Sequence, residues 1–293
     1  MSFPNSCDLC ARRCGIDRRV RKGACGMDAQ LKAARAALHF WEEPCISGSR
    51  GSGTVFISGC PLSCCFCQNF PISQDGFGKV LSVSALADVF HSLEQQGAHN
   101  INLVNPTHFA PLIREAILRS RVKIPFVYNS GGYDTPSALG QMAGLVQIYL
   151  PDVKYFSEEL AVQYSRAPHY FETAMAAVQT MVEQVGPPVF DEDGILQRGV
   201  IVRHMVLPSH WRDSLQVLRR LWEAFGHSLL YSIMCQYAPM YHSAQFHEID
   251  RRVTTYEYRK VTDFAADLGM PGYMQGRSSA TSAYTPSFDL TGL

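Results

Sequence analysis

From residue 53 onward, short apolar runs alternate with amphipathic segments along the chain. Each apolar run has the length and composition of a strand that is buried on both faces of a sheet. The pattern therefore predicts six strands, at residues 54–58, 100–104, 125–128, 146–150, 200–207 and 229–234.

Helix signals lie between or after these runs. Ser82 is a candidate N-cap, and Thr135 stands before a proline, as at many helix starts. Apolar residues recur with helical period from 215 to 225. Thr254 and Glu257 have the spacing of a capping box, which predicts one further helix.

Strands that alternate with helices run parallel and are joined by right-handed crossovers. Six such units are fewer than the eight of a closed barrel. We therefore expect an α/β fold, a partial (β/α)6 TIM-type barrel, with a doubly wound sheet as the alternative. The chain is expected to divide into a small Cys-rich N-terminal metal-binding module over 1–50, the (β/α)6 domain over 51–275 and a C-terminal tail over 276–293. Within the module, a helix is expected near 29–39.

Composition adds few constraints. The 26 basic and 26 acidic residues balance, so charge gives no argument for a nucleic-acid partner. No apolar run approaches the ~20 residues of a membrane-spanning helix, and the first residues lack the layout of a signal peptide. The expectation is a cytoplasmic protein without a membrane or nucleic-acid partner.

Cysteine content is the most informative feature of the composition, because the chain has ten cysteines. In a reducing compartment, clustered thiols indicate metal rather than disulfides. Eight of them fall into two groups, one over residues 7–25 and one over residues 60–67.

The second group follows the first predicted strand, at the carboxyl end of the sheet, where parallel α/β folds place their sites. Cys60, Cys64 and Cys67 offer three thiolates on one short loop. Three thiolates can hold a 4Fe-4S cluster and leave one iron open. The amino and carboxylate groups of S-adenosylmethionine (SAM) would fit that position. A zinc site prefers four ligands, and Cys65 is poorly placed to be the fourth; incidental buried thiols are the other alternative.

The loop resembles that of the radical SAM superfamily. The branch related to pyruvate formate-lyase activating enzymes resembles nearly the whole chain, with matching segments at 7–18, 60–69, 105–108, 129–133, 150–155 and 202–208. The resemblance implies a partial barrel, a 4Fe-4S cluster and reductive cleavage of SAM to a 5′-deoxyadenosyl radical that abstracts hydrogen. This chemistry requires a reductant such as flavodoxin or ferredoxin.

The resemblance also implies SAM-binding residues at predicted strand ends. Asp152 and Lys154 would hold the methionine part of SAM with an associated cation, and Lys154 would pair with the SAM carboxylate. Arg203 lies in an apolar strand, where a charge needs a partner, and it would point toward SAM. A rim salt bridge is the alternative for Asp152 and Lys154.

Many radical SAM enzymes have Gly-Gly-Glu after the second strand, but this chain has Asn105 and Thr107 there, whose oxygens could accept from the SAM ammonium. Phe66 would offer a flat face to adenine, or would simply pack in the core. Asn129 and His204 complete the expected cofactor-binding set. A satisfied core histidine is the alternative for His204.

The first cysteine group offers four thiolates, from Cys7, Cys10, Cys14 and Cys25. Four thiolates suffice for zinc or for a second 4Fe-4S cluster, and the spacing does not separate the two. We expect a structural metal, since a closed site needs no further chemistry; unmetallated thiols are the third alternative. Basic residues such as Arg18 interleave with the thiols and would form a solvated face or offset thiolate charge.

Together these features predict a radical SAM oxidoreductase resembling pyruvate formate-lyase activating enzymes, which would activate a glycyl-radical enzyme. The alternatives are a radical SAM enzyme that acts on a small molecule or peptide, and a non-catalytic iron–sulfur protein. No residue is singled out as a catalytic acid or base.

Overall fold

A computed structural model describes residues 5–276 and 285–293 of the chain. Residues 1–4 of the expected N-terminal module and 277–284 of the expected tail lie outside the described residues. The strands are β1 Lys32–His39, β2 Ser52–Ile57, β3 Lys79–Val80, β4 Ile101–Val104, β5 Phe126–Ser130, β6 Ile148–Pro151, β7 Val189–Phe190, β8 Leu196–Met205, β9 Leu230–Met234 and β10 Gly272–Met274. The α-helices are α1 Pro44–Ser47, α2 Phe70–Ser73, α3 Val83–Gln95, α4 Ala110–Ser120, α5 Pro136–Gly140, α6 Glu158–Ser165, α7 Tyr170–Val185, α8 Trp211–Phe225 and α9 Thr255–Asp267.

The strands form one sheet in the order β10-β9-β8-β6-β5-β4-β2-β1-β3, with β7 paired to β8. From β2 to β10 along this order, neighbouring strands are parallel. Their spatial order follows the chain without reversal, whereas a doubly wound sheet reverses at a switch point. The prediction of a partial barrel is therefore confirmed, and each of the six predicted strands overlaps one of these parallel strands.

Alternate residues of the strands face opposite sides of the sheet. One set, which includes Tyr128, Tyr149 and Val202, packs in the large core that the helices cover. The other set lines the inside of the arc and packs on Cys45 and Ile46 of α1; it comprises Val127, Ile148, Leu150, Leu196, Ile201 and Leu230. The short helix α1 therefore fills the lower part of the barrel lumen.

The predicted helix starts are confirmed. Ser82 accepts a hydrogen bond from the Ala85 amide at 3.1 Å. Thr135 caps α5, with a proline in the first turn. Thr254 and Glu257 form both hydrogen bonds of a capping box at the start of α9.

The prediction of a helix near 29–39 is wrong, because residues 32–39 form β1. This alanine-rich segment favours a helix when taken alone. In the fold it pairs antiparallel with β2 along its length. Ala33, Ala34 and Ala36 are buried there, so the small side chains allow close packing at this edge.

Residues 285–293 lie against β1. The Leu290 amide donates to the Ala34 carbonyl at 3.0 Å, and the Ala36 amide donates to Thr291 at 2.8 Å. The Phe288 ring contacts Phe56 of β2 at 5.5 Å. None of the helices in the described ranges combines the length and apolar character that a bilayer crossing needs.

Candidate metal and cofactor site

The cysteine loop begins where β2 ends. Gly59 has a φ of +85°, and a Cβ at this position would lie 2.9 Å from both the Cys25 carbonyl oxygen and His108 Nε2. Only glycine fits this turn without displacing its neighbours. The turn directs the next ten residues over the carboxyl ends of the parallel strands, as the sequence predicted.

The sulfurs of this loop lie on the wall of a cavity of about 600 Å³, which Cys60, Cys64 and Cys67 line. Each sulfur has a polar neighbour: the Leu62 amide nitrogen is 3.4 Å from Cys60, the Ser165 hydroxyl oxygen 3.0 Å from Cys64 and the Ser73 hydroxyl oxygen 3.1 Å from Cys67. Burial raises the pKa of all three thiols, that of Cys67 to about 11. Thiolates at this wall therefore need a metal centre to offset their charge.

Sulfur spacing distinguishes the kinds of metal. In the described part of the chain, the sole group of three potential ligand atoms within 4.8 Å of one another is Glu158, His169 and Glu172 at the surface. Tetrahedral zinc with Zn–S bonds of about 2.3 Å brings its sulfurs to about 3.8 Å apart. A cubane binds each thiolate to a different iron and holds the sulfurs farther apart. The three loop cysteines fit a cluster better than a single zinc ion.

A charged layer lines the same cavity as the sulfurs. Arg203 donates to Asp152 at 2.9 Å, to Glu42 at 3.2 Å and to Asn129 at 2.6 Å. Lys154 is 2.5 Å from the second oxygen of Asp152. Burial would raise the pKa of Asp152, but Arg203 and Lys154 lower it by more than burial raises it. These charged side chains stay 10–16% exposed, and they line the cavity.

Glu42 and Glu43 are cavity residues that sequence reasoning missed. Glu42 accepts from Asn102 at 3.0 Å in addition to its pair with Arg203. Glu43 is buried, and its Oε2 atom has no partner among the described residues. Burial raises the pKa of both carboxyls. The two residues enter the lumen just before α1, away from every predicted strand end, so no motif marked them.

Six of the eight predicted cofactor residues line the cavity: Phe66, Asn105, Asn129, Asp152, Lys154 and Arg203. The Phe66 ring also meets Tyr237 edge-on at 5.6 Å. Asn105 has a φ of +63° and donates its side-chain amide to the Gly59 carbonyl. Its side-chain oxygen therefore stays available to a ligand amine.

The structure places the other two, Thr107 and His204, away from the cavity wall. Thr107 is buried and donates to Asp134 at 2.6 Å, where Tyr128 and Ser130 donate as well. His204 Nδ1 lies 2.7 Å from the Val153 carbonyl oxygen, which assigns its proton to that nitrogen. Burial lowers the pKa of His204, so the ring is neutral.

The N-terminal module gathers its four cysteines beside the barrel. The Cys10 thiol interacts electrostatically with Cys7, Cys14 and Cys25, and burial raises its pKa to about 12. Gly23 leaves room between the ligands, since a Cβ there would lie 3.3 Å from the Cys25 sulfur and 3.7 Å from the Cys14 sulfur. The structure thus brings the predicted second set together, and, as in the cysteine loop, no three of its described sulfurs lie within 4.8 Å of one another.

One backbone feature recurs at six of the seven cysteines in the two predicted ligand sets, which are the three of the cysteine loop and the four of the N-terminal module. The amide two residues further along faces the sulfur and lowers the thiol pKa, as N–H groups do around metal-bound thiolates. The pairs are Cys7–Leu9, Cys10–Arg12, Cys14–Ile16, Cys25–Met27, Cys60–Leu62 and Cys67–Asn69. Within the described chain, Cys64 of the loop lacks this pairing, as do Cys45 and Cys65 outside both sets.

Comparison with known proteins gives distant similarities. No protein-family model matches the chain. An uncharacterised protein of Methanocaldococcus jannaschii is 26% identical over 269 residues, which cover 89% of this chain and 74% of that protein.

Solved structures match with low scores. Streptococcus suis SuiB bound to S-adenosylmethionine gives a TM-score of 0.48 at 9% identity, over 74% of this chain and 48% of SuiB. Methylornithine synthase PylB gives 0.48 at 12% identity, over 73% and 68% of the two chains. The FeFe-hydrogenase maturase HydG of Carboxydothermus hydrogenoformans gives 0.49 at 14% identity, over 80% and 60%. The chain spans about half the length of SuiB, and at these scores its function has to be inferred from the site itself.

Proposed function

We propose that this protein is a radical SAM enzyme. The observation that supports it is that three cysteine sulfurs and the ion-paired side chains of Asp152, Lys154 and Arg203 line one cavity. Cys60, Cys64 and Cys67 would hold a 4Fe-4S cluster, and the described part of the cavity wall offers no fourth cysteine. Such a cluster, when bound, supplies the electron that cleaves SAM to methionine and a 5′-deoxyadenosyl radical.

The protein's own residues would position SAM. Lys154 carries a positive charge on the cavity wall and would receive the SAM carboxylate through a charge-assisted hydrogen bond. Asp152 holds both Lys154 and Arg203, so the two cations keep their places before the ligand arrives. Such preorganisation lowers the cost of ordering the site on binding.

Glu42 and Asn105 are the groups available for the SAM ammonium. The chain lacks the Gly-Gly-Glu segment that would supply a glutamate. Glu42 places a carboxylate in the lumen beside Arg203, and Asn105 offers its side-chain oxygen at the rim. We assign the ammonium to these residues rather than to Thr107, whose hydroxyl is already bonded to Asp134.

For the substrate, the resemblance to pyruvate formate-lyase activating enzymes supports activation of a glycyl-radical enzyme. A different observation favours a small molecule. The lumen below the charged layer is filled by α1, and the cavity volume of about 600 Å³ lies within the range of small-molecule sites. The unpartnered oxygen of Glu43 would suit a substrate that carries an ammonium or amidinium group.

The test is anaerobic reconstitution with iron and sulfide, followed by reduction in the presence of SAM. We expect 5′-deoxyadenosine from the wild type and none from the Cys60→Ala/Cys64→Ala/Cys67→Ala variant. Cys65→Ala is the matched control, because Cys65 lies in the same loop but does not line the cavity. Absence of 5′-deoxyadenosine from fully loaded wild type would rule the proposal out and favour a non-catalytic iron–sulfur protein.

Mixing with a glycyl-radical enzyme separates the two substrate classes. A glycine-centred EPR signal on the partner supports the activase. Deuterium transfer from a labelled amine into 5′-deoxyadenosine supports the hypothesis of a small-molecule substrate.

A further inference from the structure

The four cysteines of the N-terminal module lie directly behind the cysteine loop. The Cys60 amide donates to the Cys25 carbonyl at 3.2 Å, so a ligand of one set is hydrogen-bonded to a ligand of the other. Arg12 of the module donates to the Pro61 carbonyl at 2.7 Å, and Arg18 donates to the His108 carbonyl. These bonds fix the module against the loop.

The geometry of the module fits an iron–sulfur cluster better than zinc. In the described chain, no three of the sulfurs of Cys7, Cys10, Cys14 and Cys25 lie within 4.8 Å of one another. Tetrahedral zinc would require about 3.8 Å between every pair. The Cys10 thiol nevertheless interacts electrostatically with the other three, and a Cβ at Gly23 would lie 3.7 Å from the Cys14 sulfur and 3.3 Å from the Cys25 sulfur. A cubane, which binds one thiolate at each corner, matches both observations.

Charge around the module supports the same assignment. The Arg18 side chain is fully buried and stacks on Phe109 with its guanidinium carbon 4.7 Å from the ring centre. A buried cation thus lies in the module, as Lys154 lies on the cavity wall that the loop cysteines line.

We infer that Cys7, Cys10, Cys14 and Cys25 hold a second 4Fe-4S cluster through which electrons enter the Cys60–Cys67 centre. This inference rests on the proposed function for its second half. With four thiolates the centre is closed, which suits electron transfer rather than binding of a small molecule. Consistent with this, none of its cysteines lines the cavity.

The surface of the module fits an electron donor of opposite charge. Cys14 is partly exposed, and Arg13, Arg21 and Lys22 beside it are exposed. An acidic one-electron carrier of low potential, such as flavodoxin or ferredoxin, would be steered to this face.

The proposed electron transfer moves one electron for each SAM cleaved. The carrier is oxidised, the module returns to its starting state after passing the electron on, and the carbon–sulfur bond is reduced.

The test begins with the wild type, loaded anaerobically with iron and sulfide in the presence of zinc. We expect about eight irons and eight sulfides per chain and no zinc. After reduction, the EPR spectrum should show two clusters that broaden or split each other's signals. About four irons with one zinc would overturn the inference, even if SAM is cleaved. Eight irons without magnetic interaction would overturn the electron-entry role.

A variant and a matched control sharpen the test. Cys10→Ser/Cys14→Ser should retain about four irons, lose the second EPR signal, and be reduced by flavodoxin at least about tenfold more slowly than by a small chemical reductant. Cys45→Ser/Cys65→Ser removes two cysteines outside both sets and should keep eight irons. Should the variant unfold, the wild-type iron count and spectrum still decide. Eight irons without SAM cleavage would support the second cluster while refuting the proposed function.

Discussion

The two cysteine sets differ in number, in what they face and in what surrounds them. The cysteine loop brings three sulfurs to the wall of a cavity that a charged layer also lines, whereas the N-terminal module brings four sulfurs together away from that cavity. In neither set do three described sulfurs lie within 4.8 Å of one another, and in both sets a cation acts on the thiols. On the two proposals above, the same kind of metal centre would serve chemistry in one set and electron delivery in the other, depending on whether one corner is left open to a ligand.

Removing each cysteine set in turn should have the largest effects on iron content and SAM cleavage. We expect Cys60→Ala/Cys64→Ala/Cys67→Ala to lose about four irons and all SAM cleavage, because no other described cysteine lines the cavity. Cys10→Ser/Cys14→Ser should lose a similar amount of iron but still bind SAM, measured by equilibrium dialysis. Equal loss of SAM binding in both variants would contradict the division of roles.

Arg203 at the cavity and the buried Arg18 of the module offer the next test. Arg203→Met leaves Asp152 and Glu42 without their shared cation, which should cost about 3–5 kcal/mol of unfolding free energy and abolish SAM binding. Arg18→Met should also destabilise the fold, since it removes bonds to the Asp28 and His108 carbonyls, but SAM affinity should stay within about twofold of wild type. Denaturant titration and equilibrium dialysis report the two effects separately, and a large loss of affinity in Arg18→Met would count against the account.

A smaller effect is expected at Lys154. Its ammonium pairs only with Asp152 among the described residues, so Lys154→Met removes the cation from one oxygen of Asp152 and also removes the proposed contact with the SAM carboxylate. The Kd for SAM should rise about 10- to 100-fold, the equivalent of about 1.4–2.8 kcal/mol. Lys123→Met, at an exposed position, is the control and should leave the Kd unchanged. Unaltered affinity in Lys154→Met would remove this residue from the SAM site.

The smallest effect concerns pH. Burial raises the pKa of Glu43 above its usual 4.5, so the folded state binds the extra proton and stability falls as pH rises from 4.5 toward the folded pKa. Glu43→Gln should flatten that fall.

Glu257 is the opposite case, since hydrogen bonds from Arg251 lower its pKa to about 2. Its contribution to the unfolding free energy is present above pH 4.5 and is lost as pH falls toward 2. Unfolding free energies of Glu43→Gln and Glu257→Gln across pH 2–8 check the two signs.

The sequence was most informative where local pattern and burial agree. Apolar runs located the six parallel strands because both faces of these strands are covered, one by helices and the other by α1. The caps at Ser82, Thr135 and Thr254 were predictable since each acts within one turn of its helix. Residues 32–39 were mispredicted because their alanines favour a helix locally, while the partner strand that overrides this preference begins at residue 52.

Parts of the site depended on contacts between distant segments. Thr107 was expected to face SAM, but Asp134 takes its hydrogen bond from 27 residues away. Glu42 reaches Arg203 across 161 residues, a distance over which the sequence gives no spacing signal. Arg18 read as part of a solvated basic face, yet it is fully buried against His108 and Phe109. Partners of this kind are set by the barrel's topology.

The central proposal is that Cys60, Cys64 and Cys67 leave one iron free to bind the amino group of SAM. Electron–nuclear double resonance of the reduced protein, with SAM labelled by 15N at that amino group, tests this most directly. The account predicts a 15N coupling in wild type and in Cys10→Ser/Cys14→Ser, where the loop centre alone remains. A reduced cluster whose spectrum does not change when SAM is added, with no 15N coupling, would contradict it.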